Sequence, residues 1–258
     1  PLDPAYPAGR LEHLVRDAAP KVIVSATGLD LPDTDVPVHR IDTLGPELAT
    51  HPDTPPGVQL PPETPLCVLY TSGSTGKPKG AVLHHRAISN RLLGMVDQFG
   101  FGPEDQVLHK SPLGFDPHLW ECFLPLITGS RIVMAAPGGH RDPDYLLGVC
   151  AESGITCCDV VPSLLRALLD QDALTERAGT VRLMLCGGEE LPPELATEFL
   201  RRLPGAELHN MYGPTETTID AATHRVQLPL TGRVPIGRPI TGTQVHVLDG
   251  VQRVVPVG

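Results

Sequence analysis

Apolar positions along the chain recur at two periods that alternate with one another. In "GRLEHLVRDAAP" the residues Leu11, Leu14, Val15 and Ala18 share one helical face, and the following "KVIVS" reads as a short buried strand. A second run of alternation starts at the strand-like "LCVLY" (66–70). It continues through a helix over "RAISNRLLGMVDQF", strand "QVLHK", a helix around "HLWECFLPLI", strand "SRIVMA", helix "DPDYLLGVCAES" and strand "ITCCDVV". A helix from Pro162, strand "VRLMLCG", helix "LPPELATEFLRRL" and strand "AELHNMY" complete it. Strands that alternate with helices predict an α/β fold: an open parallel sheet with helices on both faces. Ligands of such sheets sit outside the carboxyl ends of the strands. The loops after "LCVL", "VLHK", "LMLC" and "LHNM" are therefore expected on one rim. From about Thr223, alternating valines with frequent Gly and Pro predict the start of a β-rich unit.

Proline clustering adds a boundary. "THPDTPPGVQLPPETP", Thr50 to Pro65, reads as a linker or surface connection. The expected division is 1–62, a partial first α/β subdomain with the Pro-rich linker; 63–222, the main α/β subdomain; and 223–258, the opening of the β-rich one. The chain starts at Pro1 and stops at "VVPVG" inside a developing strand pattern, so it reads as interrupted at both ends. A net charge of −10 disfavours a general nucleic-acid or anionic-membrane surface. No apolar run reaches the length needed to span a bilayer, and no signal pattern opens the chain. Cys67, Cys122, Cys150, Cys157, Cys158 and Cys186 form no C-x-x-C pair; buried thiols and a reducing cytoplasm are expected.

Against that acidic background, "YTSGSTGKPKG" (70–80) concentrates small residues and cations. Gly73, Gly76 and Gly80 clear Cβ atoms from the backbone, Thr71, Ser72, Ser74 and Thr75 add hydroxyl donors, and Lys77 and Lys79 add charge. That is what a phosphate group requires. Thr71 and Pro78 stand where a Walker A loop needs glycine and a hydroxyl residue, so an ordinary P-loop is disfavoured. A flexible Gly/Ser turn accounts for "SGSTG" and not for the lysines. A second loop, "NMYGPTETT" (210–218), offers Asn210 for a base edge, Tyr212 for stacking, Thr215 for phosphate and Glu216 for Mg²⁺; read alone, a β-turn before a helix fits as well.

Together with "PLDPAYP" (1–7), "FDPHLWE" (115–121) and "GGEEL" (187–191), these stretches resemble, in order and over nearly the whole chain, the adenylation domain of nonribosomal peptide synthetases. These belong to the adenylate-forming, or acyl-activating, superfamily. The resemblance implies a multi-subdomain adenylate-forming core ending at the start of a β-barrel-like subdomain. It also implies activation of an amino acid by ATP with Mg²⁺ to aminoacyl-AMP and pyrophosphate, for transfer to the phosphopantetheine thiol of a carrier domain. By the same resemblance, residues 71–79 hold the departing phosphates, Gly188, Glu189, Asn210 and Gly213 border the nucleotide, and Tyr212 stacks on adenine. Thr71, Lys79, Thr215 and Glu216 then form the catalytic set, with Glu216 at the metal. Expected partners are peptidyl carrier and condensation domains and an MbtH-like protein, with neither nucleic acid nor membrane.

In this resemblance Asp116 pairs with the substrate's α-ammonium; from the residues alone it also reads as a helix N-cap before Pro117. A desolvated carboxylate left unpaired costs about 3–5 kcal/mol, which discriminates against acids without an amine. The side-chain pocket is implied to be lined by Asp116, Pro117, Trp120, Asp159, Leu185, Gly187, Met211, Ile219 and Asp220. Two acids, Asp159 and Asp220, beside a small Gly187 suggest a polar or cationic substrate side chain. His84, His85 and His109 read as structural or surface residues. The family continues to a ribose-binding aspartate and a lid subdomain with a lysine, neither of which occurs before Gly258, so the isolated chain is expected to adenylate weakly or not at all. Two alternatives are an acyl-CoA or aryl-acid ligase core, disfavoured by Asp116, and a noncatalytic nucleotide-binding scaffold.

Overall fold

A computed structural model describes residues 1–72 and 77–255. The chain divides into two compact units, Pro1–His85 and Arg86–Gly258.

The N-terminal unit holds α1 (Ala8–Ala18), β1 (Ile23–Ser25), β2 (Val38–Arg40), the short α2 (Gly45–Leu48), β3 (Pro65–Thr71) and β4 (Lys79–His84). The predicted stripe of α1 buries Leu11, Leu14 and Val15, while Ala18 is exposed. β1 and β2 form a parallel pair. β3 runs antiparallel to β4, with Val68 opposite Val82 and Thr71 opposite Lys79. This hairpin corrects the expectation for "LCVL": β3 pairs with β4 and is not a strand of the main parallel sheet. The reason lies in "KGAVLH", where Ala81 and Leu83 are buried and Val82 is exposed, a period-two pattern that sends the chain back along β3.

The second unit is built on one seven-stranded sheet. In chain order its elements are α3 (His85–Phe99), β5 (Gln106–His109), α4 (Pro117–Thr128), β6 (Arg131–Met134), α5 (Pro143–Ser153), β7 (Cys157–Val160), α6 (Pro162–Leu169), α7 (Leu174–Arg177), β8 (Leu183–Gly187), α8 (Pro193–Arg202), β9 (Glu207–Tyr212), β10 (Ala222–Arg225) and β11 (Arg238–Pro239). The strand order is β11-β10-β9-β8-β7-β5-β6. β9 through β6 are parallel, and β10 and β11 add an antiparallel edge. The strands read from Thr223 onward as a new β-rich unit thus begin by extending this sheet.

Side-chain alternation assigns the two faces of the sheet. Cys158, Val160, Met184, Cys186 and Leu208 face one way and pack with Leu147, Leu165, Leu174, Ala196 and Phe199 of α5 to α8. The opposite face meets α3 and α4: the Phe99 ring stands edge-on to His209 at 4.9 Å, and Trp120 hydrogen-bonds Asp159 of β7. Cys150, Cys157, Cys158 and Cys186 are buried free thiols, as expected, whereas Cys67 and Cys122 are free thiols that are only half-buried. No helix of the described residues is long and apolar enough to cross a membrane.

Candidate functional site

Because β5, β7, β8 and β9 run parallel, the loops after His109, Val160, Gly187 and Tyr212 leave the same rim of the sheet. At this rim a cavity of about 490 Å³, within the range of small-molecule sites, is lined by Gly188, Glu189, Glu190, Leu191, Asn210, Met211, Tyr212, Gly213, Pro214, Val234 and Ile236. The half-exposed Tyr212 ring forms part of its wall. Two side chains have structural partners: Asn210 Nδ2 donates to the Pro235 carbonyl at 2.8 Å, and the Glu189 carboxylate accepts from the Ser163 amide and hydroxyl at the start of α6. Apolar walls with few polar groups suit a flat heteroaromatic ring.

One loop, residues 212–220, ties this cavity to a cluster of acids. Its Thr215–Thr217 turn leaves Glu216 exposed. Thr218 and Ile219 follow with φ of +67° and +71°, and Asp220 N–H closes back on the Thr218 carbonyl at 2.9 Å, making a three-residue γ-turn. A β-branched residue at positive φ is strained and needs a surrounding structure to hold it. Two contacts do so. The Ile219 amide donates to Asp116 Oδ2 at 3.2 Å, and the Asp220 carboxylate accepts from Arg91.

Asp116 precedes α4 with helical backbone angles and makes no side-chain cap bond, so its reading as an N-cap is corrected. Pro117 at the first helical position needs no amide partner, and the carboxylate is directed to the 215–219 turn instead. Burial pushes Asp116 up to about 6, and the Asp220 charge adds to this; hydrogen bonds from Thr215 and the Ile219 amide oppose it. The loop ahead of α4 is set by Glu121, fully buried, which accepts from the Lys110 and Ser111 amides and the Ser111 hydroxyl. His109, buried beside it at 3.2 Å, is structural as expected.

Of the pocket residues implied by resemblance, the four on strands, Asp159, Leu185, Gly187 and Met211, fall on one sheet face by register, while Asp116, Pro117 and Trp120 come from the start of α4 and Ile219 and Asp220 from the loop after β9. Asp159 is opposite Leu185, and Gly187 is opposite Met211. A Cβ on Gly187 would lie 2.9 Å from the Met211 carbonyl oxygen, so strand approach itself requires glycine there. Trp120 Nε1 donates to Asp159 Oδ2 at 3.2 Å. Burial drives Asp159 up to about 7, Lys110 opposes this, and the charges of Glu121 and Asp220 add to it. Asp220 accepts from Arg91 Nε at 3.1 Å and Nη2 at 2.7 Å. Arg91 is absent from the sequence reading because an arginine in a helix reads as solvent-facing. Its position in the buried stripe Ile88, Arg91, Leu92, Met95, Phe99 is the signal that could have found it.

In the N-terminal unit, Thr71 and Lys79 are paired across the β3–β4 hairpin, with Ser72 and Lys77 exposed beyond them. Gly73, Ser74, Thr75 and Gly76 lie outside the described residues. The hairpin is tied to α1: Tyr70 donates to Asp17 at 2.7 Å, and His13 Nε2 is 3.2 Å from the Pro78 carbonyl. Among the described residues no group of three His, Cys, Asp or Glu side chains could hold a metal unaided. A lone exposed carboxylate such as Glu216 fits Mg²⁺, which takes one or two protein carboxylates together with phosphate oxygens.

The sequence profile of the AMP-binding enzyme family matches residues 1–258, and the chain belongs to that family. It is 41% identical over 261 residues to phosphinothricin tripeptide synthetase PhsB of Streptomyces viridochromogenes, and 37% identical over 271 residues to enterobactin synthase component F of Escherichia coli. All of this chain is covered, against 22% and 20% of those proteins, so it spans about a fifth of their length. Among solved structures, a four-domain nonribosomal peptide synthetase bound to AMP and glycine superposes with a TM-score of 0.82 at 32% identity, over 99% of this chain and 18% of that one. FmoA3, another nonribosomal peptide synthetase, gives a TM-score of 0.86 at 28% identity over 97% of this chain and 27% of that one. The α/β architecture expected from the sequence is the architecture of these proteins.

Proposed function

We propose that this chain is the core of an amino-acid adenylation domain of a nonribosomal peptide synthetase. In this reading the substrate carboxylate attacks the α-phosphorus of ATP, pyrophosphate leaves, and the aminoacyl-adenylate passes to a carrier-domain phosphopantetheine thiol in the full-length gene product. The observation that carries the reading is the 212–220 loop. At one end it borders a cavity suited to a nucleobase, and at the other it holds Asp116, a carboxylate without a capping role, where a substrate amine would be paired. Two nonribosomal peptide synthetases of this architecture bind AMPPNP in one case and AMP with glycine in the other, which supports the reading.

Each group acts by position and charge. Tyr212 and the Gly188–Glu189 backbone enclose the base, and Asp116 anchors the α-ammonium and so orients the carboxylate. Thr71, Ser72, Lys77 and Lys79, with Gly73, Ser74, Thr75 and Gly76 between them in sequence, take the role of receiving the leaving pyrophosphate, and Thr215 and Glu216 that of contacting phosphate and its metal. Glu216 would hold Mg²⁺, whose charge offsets that of the phosphates. Trp120, Asp159, Leu185, Gly187, Met211, Ile219 and Asp220 surround a polar or cationic side chain. Carrier and condensation domains are the partners, with an MbtH-like protein as an accessory and the cytoplasm as location. ATP–pyrophosphate exchange by the full-length gene product, run with amino acids and with their des-amino analogues, tests this. Exchange confined to amine-bearing substrates is expected; equal exchange with des-amino acids indicates an acyl-CoA or aryl-acid ligase, and nucleotide binding without exchange a scaffold.

A further inference from the structure

Arg91 is only 2% exposed and occupies a core position of α3, between Ile88 and Leu92 of the buried stripe. A fully charged side chain is costly at such a place unless it is paired. It is paired: two guanidinium N–H groups, Nε and Nη2, converge on a single oxygen, Asp220 Oδ2, at 3.1 and 2.7 Å. Arginine remains protonated at any working pH, so Asp220 has a permanent internal counter-ion. This changes the charge balance of the substrate pocket proposed above. Two acids, Asp159 and Asp220, ask for a cationic substrate side chain only while both lack a partner. With Asp220 matched by Arg91, the remaining acid is Asp159, which already accepts a hydrogen bond from Trp120 and feels the charge of Lys110. A substrate ammonium or guanidinium entering here would meet the buried Arg91 charge, while the single negative charge of Asp220 is already balanced by that guanidinium at Oδ2.

We propose that Arg91 is a specificity-determining residue of this site, and that by occupying Asp220 it selects an amino acid with an uncharged, hydrogen-bonding side chain, an amide or hydroxyl, over a cationic one. The inference rests on the amino-acid adenylation reading and sharpens its substrate class. Its geometry lies wholly within the unit Arg86–Gly258.

The test is ATP–pyrophosphate exchange by the full-length gene product with glutamine, asparagine, serine and threonine against lysine, ornithine and arginine. It is run on the wild type, on Arg91→Met, which keeps length and removes charge, and on Arg91→Met/Asp220→Met, which replaces the pair by apolar groups. The wild type is expected to favour an uncharged amino acid by at least about a hundredfold in kcat/KM. Arg91→Met is expected to shift the cationic-to-uncharged ratio at least about tenfold toward the cationic set, and the double variant to lose that shift. A wild type that prefers lysine, ornithine or arginine overturns the inference whether or not the variants fold, and so does a single variant that loses all substrates by one common factor. Exchange with none of the amino acids, while nucleotide still binds, overturns the adenylation reading itself, and the inference with it.

Discussion

A methyl group added at Gly213 gives a sharp test of how the 212–220 loop is built. A Cβ there would lie 2.5 Å from Asp220 Cα, 2.7 Å from Ala221 N and 2.8 Å from Asp220 C. All three are backbone atoms, so no rotamer change relieves the clash. Restoring carbon–carbon contact at about 3.5 Å needs a displacement of about 1 Å between the two segments. The Ala221 amide donates to the Tyr212 carbonyl at 2.7 Å in the same place, and a shift of that size stretches the bond out of hydrogen-bonding range. Overpacking at about 1–3 kcal/mol, with a buried backbone bond lost at about 1–2 kcal/mol, predicts a destabilisation of about 2–5 kcal/mol for Gly213→Ala. The displacement also draws Asp220 from Arg91 and the Ile219 amide from Asp116, so amino-acid KM should rise. Urea denaturation reads the stability term. Gly205→Ala, where an added Cβ meets nothing within 4 Å, is the control and should change stability by less than about 0.5 kcal/mol. A Gly213→Ala protein with an unchanged midpoint would refute the close approach of these segments.

Two further outcomes follow from the carboxylates. Asp116, raised to about 6, must be ionised to pair with an ammonium, so amino-acid KM should climb as pH falls through about 6 and stay flat above about 7. An Asp116→Asn protein should lose that dependence, and a wild-type KM constant from pH 7.5 to 5 would contradict it. Asp105 behaves oppositely. Burial acts to raise it, but it accepts from Arg182 Nε and Nη2, both at 2.7 Å, from Thr156 at 2.8 Å and from the Gly102 amide at 3.1 Å, and these partners together outweigh burial and hold it below its ordinary 3.8. Its stabilisation is complete above that value and is lost as pH falls through its lower folded pKa. Asp105→Ala should cost about 2–3 kcal/mol at pH 7 and progressively less as pH falls below 3.8, measured by denaturant midpoints across that range.

The parts of this fold that were legible in the sequence are those set by local pattern. Strands such as Leu183–Gly187 are short apolar runs between helices whose stripes are clear, and chain order then dictates a parallel sheet with two covered faces. The β3–β4 hairpin was hidden because the sequence between its strands is long and rich in Gly and Lys, without a two-residue hairpin signature such as Asn-Gly, and because β3 alone looks like any buried strand. β10 and β11 were read into a new unit because the segment between them, with Val226, Val234, Gly232 and Gly237, carries the valine, glycine and proline pattern of a β-rich unit, while the strands themselves, ATHR and RP, have no apolar alternation of their own. At the site, the residue types were legible and their partners were not. Asp116 before a proline fits a helix cap, and only its bond to the Ile219 amide, 103 residues away, shows otherwise. The strained turn at Thr218–Ile219 and the pairing of Arg91 with Asp220 arise from contacts between distant elements, which no local periodicity encodes.

The most direct measurement is a cycle on Asp116 in the full-length gene product: kcat/KM for pyrophosphate exchange with the preferred amino acid and with its des-amino analogue, for wild type and Asp116→Ala. If the carboxylate holds the substrate amine, the wild type should favour the amine-bearing acid by about 10²–10⁴-fold, and the substitution should collapse that ratio to within about tenfold of unity. A ratio that survives removal of Asp116 would contradict the account.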